Sequence, residues 1–456
     1  MPHTILVTET GAVPDSPELQ TAAFQAALDR AYALGGATVV VPEGKYTIGA
    51  VRIRSNTTLL LKSGVYICGS RDPEEYYVLQ NDTLEPLPEE YRTDMPYWNY
   101  RKGEVKNDSH VYMKPGGRWN NGLLRAFGAE NIAVVGEKGA VIDGCNPFDE
   151  LGEEYYRGPH GISMHYCKNI TFSGYTAQHM GNWAHNIWYS QNIVCDGVTV
   201  LGGHDGFHMR SCTNVTIRRA QFFCGDDCVA GYGNVNVLVH DCMMNTSCSG
   251  LRFGGTNALI QNCHFYGPAR YFIRSSLTPQ EKRDGASSIN DPVRFNMLSV
   301  FTYFAGNTND IPEQPGNIIL KDCSAEHVDR LIHYNFSGNE RWQLNRPLKD
   351  LTLENIRATG IGMPLTAYGS ADQPLYLTLK NVTIDFLEKE QGFPFLCIAN
   401  CEHLIMDHVT IHKKSNGGFI RSWTALPDVQ WNQVDFPVSQ EEWIEYTSEP
   451  FSCKTV

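Results

Sequence analysis

Short apolar strings, each opened by a polar turn residue, recur along this chain at a nearly constant interval. Ile170-Thr171-Phe172, Ile193-Val194, Val215-Thr216-Ile217 and Val237-Leu238-Val239 share one pattern, and the strings that begin at Ile193, Val215 and Val237 stand 22 residues apart. Alternate residues within each string are apolar, as in a strand that buries one face. A supersecondary unit repeated at this period predicts a coil whose rungs stack in parallel, each burying its apolar side against its neighbours. Counting the same interval forward from Trp183 gives Asp205, Asp227, Ser249 and Tyr271. Equivalent positions on adjacent parallel strands lie about 4.8 Å apart, so the count predicts that Asp205 and Asp227 come within chemical reach of each other on one outward face. Asp226 adds a third carboxylate.

The pattern departs from this rhythm in a few places. Residues 17–35 carry a helical stripe of Leu19, Ala22, Ala23, Ala26, Ala27, Leu28 and Ala31, opened by Ser16-Pro17 and stopped by Gly35-Gly36. Such a helix covers the first rung, whose open edge would otherwise template aggregation. Strand strings then run from Thr38 to Leu61. Between 70 and 120 they give way to a polar and aromatic segment containing Tyr76-Tyr77, Pro96-Tyr97-Trp98 and Arg118-Trp119, and they lapse again between 275 and 316. Both segments are predicted as walls of a cleft, since long insertions in a repeat array are commonly functional. The strings return at Asn317-Ile318-Ile319-Leu320 and continue to Leu404-Ile405-Met406, and no linker divides the chain, so residues 1–456 are predicted as one domain.

Composition narrows the function. A formal charge of −13 disfavours nucleic acid or an anionic membrane surface as partner, and no apolar run is long enough to span a bilayer. The first residues lack a basic start followed by a long apolar run, which predicts a cytoplasmic protein whose 14 cysteines are free thiols. The pairs Cys224/Cys228 and Cys397/Cys401 have no partner pair at zinc-finger spacing, so neither a metal nor a cofactor is expected. The oligomeric state is open.

Three carboxylates brought together raise at least one pKa, which keeps a protonated acid beside an ionised base. The strings Gly203-His204-Asp205-Gly206 and Gly225-Asp226-Asp227-Cys228 resemble the paired motifs of glycoside hydrolase family 28, the polygalacturonase-like enzymes. The segment from Gly35 to Tyr46, Val141-Ile142-Asp143-Gly144 and Asn182-Trp183 extend the resemblance, which covers about residues 5 to 275. It implies a right-handed parallel β-helix, all-β apart from the N-terminal capping helix. It also implies that Asp226 is the general acid, that Asp205 and Asp227 hold the attacking water, and that the anomeric centre is inverted. Inversion ordinarily asks for carboxyl groups roughly 6.5 to 9.5 Å apart.

Two motif positions differ from the family pattern. The family's Gly-His-Gly falls at Cys248-Ser249-Gly250, leaving His204 or His208 to stand in for the histidine, and its Arg-Ile-Lys falls at Arg274-Ser275-Ser276, keeping the arginine and losing the lysine. Arg252 and Arg270 are the other cations expected nearby, and Trp183 and Tyr271 are the aromatic faces on which a sugar ring could lie. The missing lysine predicts a neutral or singly contacted sugar beside the scissile bond. Exo attack on pectin-derived or similar oligosaccharides is expected. The alternatives are a β-helix lyase using calcium on a uronate, and a β-helix that only binds glycans.

Overall fold

The computed structural model describes residues 3–76, 121–287, 296–305, 314–336, 342–343, 346–387, 393–413 and 419–449. The chain resolves into two compact units, residues 1–226 with 271–289, and 227–270 with 290–456. It is nearly all-β, a right-handed parallel β-helix in which strands pair in parallel with their equivalents one turn away.

In the first unit the strands fall into three stacked columns. One runs from His3–Leu6 through Ala37–Val41, Thr57–Leu61, Glu130–Gly136, Lys168–Ser173 and Gln191–Asp196 to Thr213–Arg218. A second runs from Gly44–Ile48 through Val65–Gly69, Val141–Asp143 and Thr176–Gln178 to Thr199–Gly202 and Gln221–Cys224. The third climbs from Val51–Arg52 through Gly122–Phe127, His160–His165 and His185–Trp188 to Phe207–Arg210. The 22-residue register is observed, with Ile193 opposite Val215 and His185 opposite Phe207. Val215 and Ile217 are buried, as are Val237 and Val239 in the second unit.

Each string opens on asparagine for two physical reasons. Asn56, Asn131, Asn169, Asn192 and Asn214 all adopt left-handed backbone angles, which asparagine tolerates better than most residues. Their side-chain amides also donate to one another along the stack, at 2.8 to 3.1 Å. The ladder satisfies amide groups at the bend and sets the register.

The second unit repeats this construction. Val229–His240 pairs with Ser249–Gln261, and a column continues through Gly316–Glu326, Asp350–Ile361, Leu375–Phe386 and Cys401–His412 to Asp428–Asp435. Phe395, Phe419, Trp431, Phe436 and Trp443 interlock at the last rungs.

Three expectations are corrected. The capping helix runs Thr21–Ala33, not from residue 17. Residues before it are held outside the helix, because Leu19 bridges Thr47 and the Gln20 side chain clasps the Val13 backbone. The second interruption is not wholly outside the coil, since Met297–Tyr303 pairs with Ser249–Gln261. Consequently Ser249 stands opposite Ser299, and Tyr271 is not the next step of the count. Of the first interruption, residues 77–120 lie outside the described residues; at its start, Pro73–Tyr76 forms a short helical turn. The thirteen described cysteines form no disulfide, and among the described residues no helix is long and apolar enough to cross a membrane.

Candidate active site

In the first unit the chain reaches Asp205 through two glycines, Gly202 and Gly203, at φ of 66° and 73°, angles costly for other residues. Asp205 is only 4% exposed. Its Oδ2 accepts from His208 Nδ1 at 2.6 Å. The His208 ring lies flat on Trp183, with centroids 3.6 Å apart and planes 2° apart, and Arg210 Nε donates to His208 Nε2 at 3.4 Å. The expectation of a solvent-facing Asp205 is therefore corrected, because Trp183 and His208 pack around it. One face of Trp183 is already taken by His208.

Asp226 follows Gly225, where a Cβ would come within 2.5 Å of the Gly203 carbonyl. Only glycine lets the two turns approach so closely. The Asp226 amide reaches the His204 carbonyl at 3.4 Å, and carboxylate oxygens of Asp205 and Asp226 lie within 4.8 Å of each other. Hard divalent cations take such oxygens as ligands. Asp226 is the more open of the two, with 14% of its side chain exposed.

Arg157 approaches Asp226 Oδ2 at 3.7 Å while forming a two-pronged pair with Glu154 and reaching Glu153 at 3.6 Å. Asn182 accepts from Arg157 and donates to Glu153. Burial pushes Glu153 from 4.5 up to about 7, although Arg157 opposes the shift. The folded state therefore holds this proton more tightly than the unfolded chain, and Glu153 costs stability progressively as pH rises from 4.5 through about 7. Glu153→Gln is expected to gain in melting temperature relative to wild type across that window and to level off above it. A difference that stays flat with pH would contradict the assignment.

Further cations lie around His204 in the same unit. Arg274 is fully buried, with its guanidinium donating to the Gly181 and Asn146 carbonyls at 3.3 and 3.4 Å, and burial lowers it to about 10. Tyr156 packs 5.8 Å from the His204 ring. Lys282 Nζ sits 4.4 Å from the Tyr156 ring and donates to the Ser275 carbonyl at 3.1 Å. His204 is fully buried, its ring nitrogens without hydrogen-bond partners, and burial holds it well below the usual histidine range. Tyr271 is buried beside Gly202.

The second unit begins at Asp227, which is 2% exposed and so does not point to solvent as expected. Its Oδ1 accepts the Ser249 amide at 2.9 Å, and its Oδ2 lies 3.5 Å from Arg252 Nη1. Ser249 is buried, its hydroxyl donating to Thr302 at 3.1 Å. Arg252 lies over Phe304 at 4.7 Å and near Trp342 at 6.0 Å. Arg270 is exposed, with its amide donating to Asn245.

Arg157, Glu153, Arg210 and Lys282 were not singled out in the sequence. Arg210 alone carried a signal, standing two residues beyond His208 on the same strand face. The others sit on insertions, where no register points to them.

Residues 103–254 match the family described as Glycosyl hydrolases family 28. A probable polygalacturonase of Vitis vinifera is 29% identical over 240 residues, which are 50% of this chain and 44% of that protein. The chain thus spans less than half of this curated relative. The structure of a family 28 exopolygalacturonase of Yersinia enterocolitica superposes with a TM-score of 0.65 at 16% identity, covering 96% of this chain and 79% of that one. An exopolygalacturonase of Thermotoga maritima gives a TM-score of 0.59 at 16% identity, with 90% and 92% covered.

Proposed function

Taking its relationship to glycoside hydrolase family 28 as premise, we propose that this chain hydrolyses pectin-derived or related plant oligosaccharides by exo attack with inversion. The observation that carries the reading is the close approach of Asp205 and Asp226, with Asp227 next in the chain. Asp226 protonates the glycosidic oxygen as the bond to the anomeric carbon breaks. A water held by Asp205 and Asp227 attacks that carbon from the opposite side and yields its proton to one of them. The greater openness of Asp226 suits the group that must reach the leaving oxygen. The two bases are each held by donors.

The cations near the acids suit a neutral sugar, or a uronate contacted once. Arg274 is committed to backbone carbonyls, and Arg157 is shared among Glu153, Glu154 and Asp226. Lys282, half-buried beside Tyr156 on the short helix Pro279–Arg283, is a further cation placed to meet a carboxylate. Lys282→Ala is expected to raise KM about tenfold for an oligogalacturonate, the scale of one charge-assisted hydrogen bond, and to leave a neutral pectic oligosaccharide unchanged. Oligogalacturonate cleavage that survives loss of Lys282, Arg252 and Arg270 alike would overturn this view of the substrate.

A further inference from the structure

Asp205, His208 and Arg210 form a chain of hydrogen bonds whose direction is fixed at one end. A guanidinium only donates, so the contact from Arg210 Nε makes His208 Nε2 an acceptor. The neutral imidazole must then carry its proton on Nδ1, which points at Asp205 Oδ2 from 2.6 Å. With the proton on the other nitrogen, a lone pair would face the carboxylate, and Asp205 could accept nothing from the ring. Three ring contacts hold the parts in place. Trp183 stacks on the imidazole and opposes rotation of the ring, and the Arg210 guanidinium lies 4.4 Å from the Trp188 ring and 5.8 Å from that of Trp183.

We propose that His208 and Arg210 are positioning residues: Arg210 selects the Nδ1-protonated form of His208, and His208 in turn holds Asp205 ionised and oriented as a base. This rests on the reading of Asp205 as a base in hydrolysis. It gives His208 a task other than touching the sugar, and it explains how a site with serine at position 249 keeps a histidine on its carboxylates. The stack on Trp183 serves the hydrogen bond, not the reverse.

The full chain and a pectic oligosaccharide containing rhamnose and galacturonate test it. His208→Phe keeps a ring against Trp183 and loses the donor; His208→Asn loses the ring but places an amide N–H where Nδ1 stood. Phenylalanine is expected to lower kcat by about 10² with little change in KM, and asparagine to restore kcat to within about tenfold of wild type. Arg210→Met should lower kcat about tenfold, and adding it to His208→Phe should cost nothing more, because it acts through the missing ring. Nitrogen NMR of the histidines, read without substrate, should show that the ring whose signals vanish in His208→Phe is protonated at Nδ1 and bare at Nε2, and that these signals are altered in Arg210→Met. Asparagine falling as far as phenylalanine, multiplied losses in the double variant, or a His208 ring protonated at Nε2 would each overturn the proposal. Absence of hydrolysis by the wild type would instead remove the reading of function beneath it, whatever the NMR shows.

Discussion

Replacing Asp226 by asparagine will lower turnover by about 10² to 10⁴ while leaving the fold and melting temperature close to wild type. The range is that of lost acid assistance. Asparagine has the shape of the carboxyl group but no proton to give the leaving oxygen, and its amide still tolerates Arg157 at the far side of the site. The turn that carries Asp226 is fixed by Gly225 against the Gly203 carbonyl, not by the carboxylate, so structure should survive. Initial rates on a natural oligosaccharide and on one with an activated aryl leaving group separate the roles. The variant should recover most of its rate on the activated substrate, which needs no acid. Equal loss on both substrates would remove Asp226 from the role of acid.

The second large effect concerns the bases. Asp205→Asn and Asp227→Asn are each expected to lower kcat by about 10² to 10⁴, and the double variant should lie close to the worse single one, because groups that act as a unit do not contribute additively. The reason, on the proposed mechanism, is one water held in common. Once either carboxylate is gone, the remaining one no longer aims the water. Their surroundings also predict a difference in stability. Asp227→Asn turns one face of an amide toward both the Ser249 N–H and the Arg252 guanidinium, and donor against donor in a buried place is destabilising. Asp205→Asn can keep an amide oxygen toward the His208 Nδ1–H and avoid that clash. Double-variant kinetics that multiply, or a variant retaining more than about a tenth of wild-type rate, would contradict the shared water.

The coil was legible because its cause is local and repeated. Asparagine at each bend, apolar alternation after it and a constant interval are all properties of neighbouring residues, and the structure returns the same register between Ile193 and Val215. The interval failed where the chain inserts. Ser249 meets Ser299 because a long excursion intervenes, and Tyr271 packs beside Gly202 for reasons that no count contains. The helix began late because the Gln20 side chain bonds the Val13 backbone, a contact that propensity cannot express. Asp205 and Asp226 were visible from spacing, whereas Arg157, 3.7 Å from Asp226, was not. Arg157 and Lys282 reach their places from insertions, and Arg274 spends its guanidinium on backbone carbonyls. Sequence reveals which residues the repeat carries, and packing decides which of them are available.

The central claim is that these carboxylates add water across a glycosidic bond. Defined pectic oligosaccharides, incubated with the protein in water enriched in the heavy oxygen isotope, test it most directly when the products are weighed by mass spectrometry. The account predicts shortened oligosaccharides whose new reducing end carries one heavy oxygen, with Asp226→Asn silent under the same conditions. Products with an unsaturated end and no isotope would show elimination instead of hydrolysis and contradict it, and so would an oligosaccharide that is bound and recovered whole.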